Sequence, residues 1–152
     1  MVRRAVFALA FCGFASGPSL AHGAIAVGVP ARGPYYGFSW GAAADAASVD
    51  EGTTRAVRIC RGQDPVYRAS PKADLTEAQS RCTVVGTFKD QCAGMAFNGE
   101  VEQNIAATAY GWAIAFDSNT VNSQALARCE AMRAGRGRTC HFDAFICDGN
   151  AK

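Results

Sequence analysis

Past residue 21 the chain has no apolar run approaching the ~20 residues that a membrane-spanning helix requires, so no integral membrane segment is expected beyond that point. It has no Cys-x-x-Cys pair and its cysteine spacings are long, which argues against a structural zinc site. It has no Gly-x-x-x-x-Gly-Lys loop to cradle a phosphate. Histidine is limited to His22 and His141. Excess charge is also missing. Lys and Arg number 15 against 13 Asp and Glu, and Arg3 and Arg4 account for the whole difference. A chain balanced beyond that point excludes a general binder of nucleic acid or anionic membrane, whose affinity comes from neutralising phosphates.

Residues 1–21 have the organisation of a secretion signal. Arg3 and Arg4 form a basic start, Ala5 to Ala15 an apolar middle, and Ser19-Leu20-Ala21 a small-x-small cleavage site. Cleavage after Ala21 makes His22 the first residue, and a cut after Gly23 is the alternative. Residues 22–152 then fit one domain, and its location is expected to be periplasmic or extracellular.

Within that domain one motif string occurs twice. The first copy reads Gly23 to Gly28, Tyr35 to Trp40, Ala56 to Cys60 and Cys82 to Phe88; the second reads Ala93 to Asn98, Ala109 to Ile114, Ala125 to Cys129 and Cys140 to Phe145. The boundaries are about residues 23–92 and 93–147. Each copy predicts β-β-α-β, and the pair predicts an α+β, antiparallel-rich, disulfide-stabilised domain. The reading places a strand over Tyr35 to Trp40. It places a helix capped at Ser48 or Asp50, and a second helix capped at Ser118 or Asn119 with Ala125, Leu126, Cys129 and Met132 turned inward. Arg55, Arg58 and Arg61 form a solvated helix face balanced by Asp50 and Glu51.

Cys12 leaves with the signal, so six cysteines remain: Cys60, Cys82, Cys92, Cys129, Cys140 and Cys147. An even number in an exported chain points to disulfides. Repeat symmetry favours Cys60–Cys82, Cys129–Cys140 and Cys92–Cys147, with the other pairings open. The Cys60–Cys82 segment, with Pro65 and Pro71, is the longer loop and predicts at most one helical turn near Thr76 to Ser80.

The Gly23–Gly28 run, the tyrosine–glycine segments, the two Ala-[Val/Leu]-x-x-Cys helices and the pattern from Cys82 through Val84, Phe88 and Cys92 to Ala96 carry a family likeness. Together they resemble the domain of unknown function 4189 family. The resemblance covers nearly all of residues 22–152 and implies a small exported bacterial domain. It transfers no catalytic residues, and the long Cys60–Cys82 loop departs from its tighter spacing.

Three groups are candidate sites. Tyr36, Trp40, Tyr110 and Trp112, with Tyr35 and Phe38, occupy repeat-equivalent aromatic clusters; they read as core residues or as a binding surface for a protein, peptide or glycan. His141 and Asp143 stand two apart, so on a regular strand they share a face, with Phe142, Ala144 and Ile146 turned inward. His22, as a new N-terminus, offers amine and imidazole nitrogens that with His141 would suit Cu(II). No cofactor is called for. The expectation is a binding module for a protein or envelope component. The alternative is an envelope enzyme or copper-binding protein using His22 and/or His141.

Overall fold

The computed structural model describes residues 22–62, 75–99 and 107–152. Residues 1–21, read above as a secretion signal, and Pro65 and Pro71 lie outside the described residues. Strand β1 (His22–Gly28) is the centre of a three-stranded antiparallel sheet, flanked by β2 (Ser39–Ala46) and β3 (Thr83–Phe88). Strand β4 (Cys92–Phe97) is the centre of a second such sheet, flanked by β5 (Tyr110–Ala115) and β6 (His141–Cys147). Helix α1 (Val49–Cys60) and the short α2 (Leu75–Ser80) lie between β2 and β3, and α3 (Ser118–Arg133) lies between β5 and β6. The element order is compatible with a duplicated β-β-α-β unit, and the fold is α+β with three disulfides.

Both faces of the central strands are buried, and strand alternation sorts their side chains. Ile25 and Val27 of β1, with Ala93, Met95 and Phe97 of β4, meet in a core between the sheets. Ala24 and Ala26 face the other way, onto Ala56 and Cys60 of α1. Ala96 and Cys92 likewise face Val121, Ala125 and Cys129 of α3. The layers run helix, sheet, sheet, helix. The helix-side residues are small so that backbone can approach backbone. A Cβ on Gly41 would collide with the Cys60 amide and Ala56 carbonyl, and one on Gly111 with the Ala125 carbonyl and Cys129 amide.

Local signals explain the helix ends. Ser48 caps α1 by accepting from the Glu51 amide at 3.2 Å, and Glu51 reaches back to the Ala47 amide at 2.9 Å. The cap of α3 is Asp117, one residue before the predicted pair: its carboxylate accepts from the Thr120 amide at 2.8 Å and the Thr120 hydroxyl at 2.7 Å. Those Thr120 bonds hold the Asp117 carboxyl below its ordinary range. The helix stops where Ala134 turns left-handed at φ 50°. Its inward stripe is Val121, Ala125 and Cys129, whereas Met132, in the last turn, is 48% exposed and reaches only the edge of the sheet, its sulfur accepting from the Tyr110 amide at 3.4 Å.

The disulfides are Cys60–Cys82, Cys129–Cys140 and Cys92–Cys147. The first two tie each long helix to the outer strand that follows it. The third joins directly opposed residues of β4 and β6. No helix among the described residues is long and apolar enough to cross a membrane.

Candidate binding surface at the aromatic end

Asp45 and Asp148 place the starts of β1 and β4 at one end of the sandwich. The Asp148 carboxylate accepts from the Asp45 amide at 2.8 Å, and its own amide donates to Gln91, just before β4. The other end is aromatic. Tyr35 and Tyr36 do not belong to a strand: Pro34 opens a 3-10 turn over Pro34–Tyr36, and β2 begins only at Ser39. The turn lifts both phenols into solvent, 61% and 44% exposed, with their rings perpendicular at 5.4 Å. The Arg32 guanidinium lies 4.3 Å from the centre of the Tyr36 ring.

Behind the turn, ring contacts cross from one sheet to the other. Phe38 lies 4.9 Å from Tyr110 and 6.0 Å from Phe97, and Phe97 meets His141 edge-on at 4.8 Å. His141 opens onto a cavity of about 480 Å³, lined also by Asn98, Gly99, Arg138 and Thr139. Asn98 fixes one wall: its carbonyl accepts from the Thr108 and Ala109 amides at 2.8 and 2.9 Å, and its amide donates to the Thr108 hydroxyl at 2.8 Å. Glu130 fixes the turn beneath, accepting from the Cys140 amide and pairing with Arg133, both at 2.6 Å. The Cys140 amide, then Arg133, hold the Glu130 carboxyl below its ordinary range.

The regular alternation expected along β6 is broken by a bulge at Asp143, between partners of Met95 and Ala96. Phe142 therefore joins the α3 side while Ile146 packs between the sheets, so the two do not share an inward face. Strand β3 is bulged at the matching place, Val85. The extra residue Asp143 leaves the ladder and accepts from the Trp40 indole N–H at 3.2 Å. Its residue as a whole is exposed, but the carboxyl is turned against the indole, and loss of water there pushes its pKa up. The Trp40 bond and the charge of His141 act against that rise.

The expected aromatic surface divides. Trp40 is 8% exposed and packs in the core between the sheets, as the core reading of the aromatic clusters has it. Trp112 is half-buried over Gly86, and Arg128 packs 5.3 Å above it while donating to its carbonyl. Tyr110 is half-buried at the aromatic end, where Tyr35 and Tyr36 supply the open rings. His22 pairs with Ala46 at one end of the sandwich and His141 with Phe97 at the other. About 20 Å of strand separates those ends, so the fold does not bring the two imidazoles together. Among the described residues, no group of three or more His, Cys, Asp or Glu side chains is placed to hold a metal ion.

Sequence reasoning missed Arg32, Asn98 and Arg138. Arg32 and Arg138 are loop arginines that no motif marks, and Asn98 acts through partners that only the folded β4–β5 register supplies.

Residues 22–147 match the model of DUF4189, a domain of unknown function. No curated protein and no solved structure matches the chain. With a single family model spanning both sheets and all three disulfides, the chain belongs to the DUF4189 family.

Proposed function

We propose that the chain is an exported, disulfide-stabilised binding module that engages a protein or another envelope component through its aromatic end. The observation that carries this reading is the coincidence there of two exposed phenols, the Arg32 guanidinium and a cavity lined by Arg138 and His141. Aromatic rings and arginines dominate the energetics of recognition surfaces. The frame beneath is rigid, because Phe38, Phe97 and Tyr110 lock the sheets together under the open rings. Export is supported by the pattern of residues 1–21 and by three disulfides, which persist in oxidising compartments.

The test is photocrosslinking of the natively exported protein from a reactive group beside Tyr36, with adducts identified by mass spectrometry. One dominant adduct is expected, lost on Tyr35→Ala/Tyr36→Ala or Arg138→Glu while the thermal midpoint stays unchanged. An adduct that survives both variants removes the aromatic end from consideration. N-terminal sequencing of the exported form is expected to begin at His22.

A further inference from the structure

Charge that balances over residues 22–152 is sorted along the strands. The starts of β1, β4, α1 and α3 share one end of the sandwich with the ends of β2, β3, β5 and β6. Asp45, Asp50, Glu51, Asp90 and Asp117 stand there, with Asp148 buried behind them. Among the described residues the cations at that end are Lys89 and Lys152, and Arg55 turns its guanidinium to the Ala44 carbonyl. Helix starts favour carboxylates, which accounts for Asp50, Glu51 and Asp117. Asp45 and Asp90 belong to no helix.

The aromatic end, about 20 Å of strand away, has the opposite sign. Its carboxylates among the described residues are all engaged. Glu77 pairs with Arg81, Glu130 pairs with Arg133, and Asp143 is turned onto the Trp40 indole. Glu100 and Glu102 lie outside the described residues. Arg32 and Arg136 are exposed there, and neither is bonded to a carboxylate. Arg32 gives the face of its guanidinium to the Tyr36 ring, which leaves the in-plane N–H donors open. Exposed apolar side chains collect at the same two ends. Phe116, 76% exposed, and Val49 stand at the acidic end, and Tyr35, Tyr36 and Met132 at the basic one.

We propose that copies of this chain assemble end to end, the acidic end of one seated on the aromatic end of the next. Phe116 packs on the open rings of Tyr35 and Tyr36 and on the Met132 thioether, contacts that suit a phenyl ring. Asp45, Asp50 and Asp90 face Arg32 and Arg136, where the guanidinium edges accept carboxylates. Opposite charge selects this pairing, and like ends repel. Two complementary ends on one chain are what point to a second copy as the occupant. The two surfaces differ, so a third copy can add where the second did, and growth is not limited to a pair. This inference rests on the aromatic end being a binding surface, and it names the protein that the surface binds.

The test is sedimentation velocity of the oxidised chain of residues 22–152 over a wide concentration range. Salt is set at about 0.01 M and about 1 M, where charges act over about 30 Å and about 3 Å. At low salt the average mass is expected to climb with concentration past that of a pair. At high salt association is expected to weaken about tenfold or more. Arg32→Glu/Arg136→Glu makes both ends acidic, and Asp50→Lys/Phe116→Lys makes both ends basic. Each variant alone, with its thermal midpoint unchanged, is expected to stay monomeric, and mixing the two is expected to restore association. A mass that stops at a pair, or variants that stay monomeric when mixed, overturns the inference. So does a parent chain that is monomeric throughout. If that chain still yields a crosslink from Tyr36 to a different protein, the aromatic end keeps its binding role with another partner. If the crosslink is absent as well, that role falls too.

Discussion

Trp40 and Asp143, 103 positions apart, meet across the two sheets through an indole N–H donated to a carboxylate oxygen at 3.2 Å. Burial raises the carboxyl's pKa from its ordinary 3.8, so the folded chain holds this proton more tightly than the unfolded chain. Stability from this group is complete below the unfolded pKa and falls as pH rises through the folded one. Asp143→Asn keeps an oxygen for Trp40 and removes the buried charge. It is expected to match or exceed the parent in urea unfolding at neutral pH, with the advantage vanishing towards about pH 4. Asp143→Leu, which strands the indole N–H, is expected to lose about 1 kcal/mol. A parent that gains on the Asn variant as pH rises would contradict this account.

Asp148 is fully buried and binds two backbone amides, Asp45 at 2.8 Å and Asp90 at 3.2 Å. Both of those residues adopt positive φ, 53° and 51°, so the carboxylate holds two turns in a conformation that non-glycine residues disfavour. Asp148→Ala is expected to cost about 2–4 kcal/mol in denaturant unfolding, since two partly buried donors lose their acceptor. Asp148→Asn, which keeps one acceptor oxygen, is expected to fall between it and the parent. Equal stability of all three would show that neither turn depends on this residue.

Gly41 and Gly111 are where strand backbone touches helix backbone. Alanine at either position has to push the helix off its sheet, and overpacking of this kind costs about 1–3 kcal/mol. Thermal unfolding of Gly41→Ala and Gly111→Ala is expected to show a similar loss for each, because the colliding atoms are the same kind in both places. A neutral Gly111→Ala would mean that α3 sits further from β5 than described.

The three disulfides close loops of different length, with separations of 11, 22 and 55 residues for Cys129–Cys140, Cys60–Cys82 and Cys92–Cys147. Loop-closure entropy makes the longest the most stabilising, by about 1 kcal/mol over the shortest. Paired Cys→Ala variants compared by urea unfolding are expected to lose stability in that order. The reverse order would place the dominant effect in native packing around each bridge.

Much of this fold was legible because two periodic signals coincide. The small-residue runs at Gly23 to Gly28 and Ala93 to Asn98 became the central strands, and the spacing of Ala56–Cys60 and Ala125–Cys129 marked the buried helix faces. Pairing the cysteines by equivalent place gave the observed bridges. The errors have local causes. Pro34 set a 3-10 turn where aromatic alternation suggested a strand, and Asp117 outcompeted Ser118 and Asn119 because its carboxylate reaches both donors of Thr120. The bulge at Asp143 breaks a period of two that has no marker in the residues themselves. Asp148 was invisible as a latch because its partners lie 103 and 58 positions away.

The core between the sheets makes each half the lid of the other. Cut free after Lys89, the first half would present Ile25, Val27, Phe38 and Trp40 to water. Such a fragment would be driven to pair with a copy of itself, and a self-paired face must complement its own image. Tethering the two halves turns that encounter into an intramolecular one at high effective concentration. It also frees each face to diverge. Trp40 now stands opposite a strand bearing Asp143, while the matching bulge in the first half carries Val85. The arrangement is compatible with two like units joined in one chain, where neither face has to match its own image and the two flanks are different surfaces.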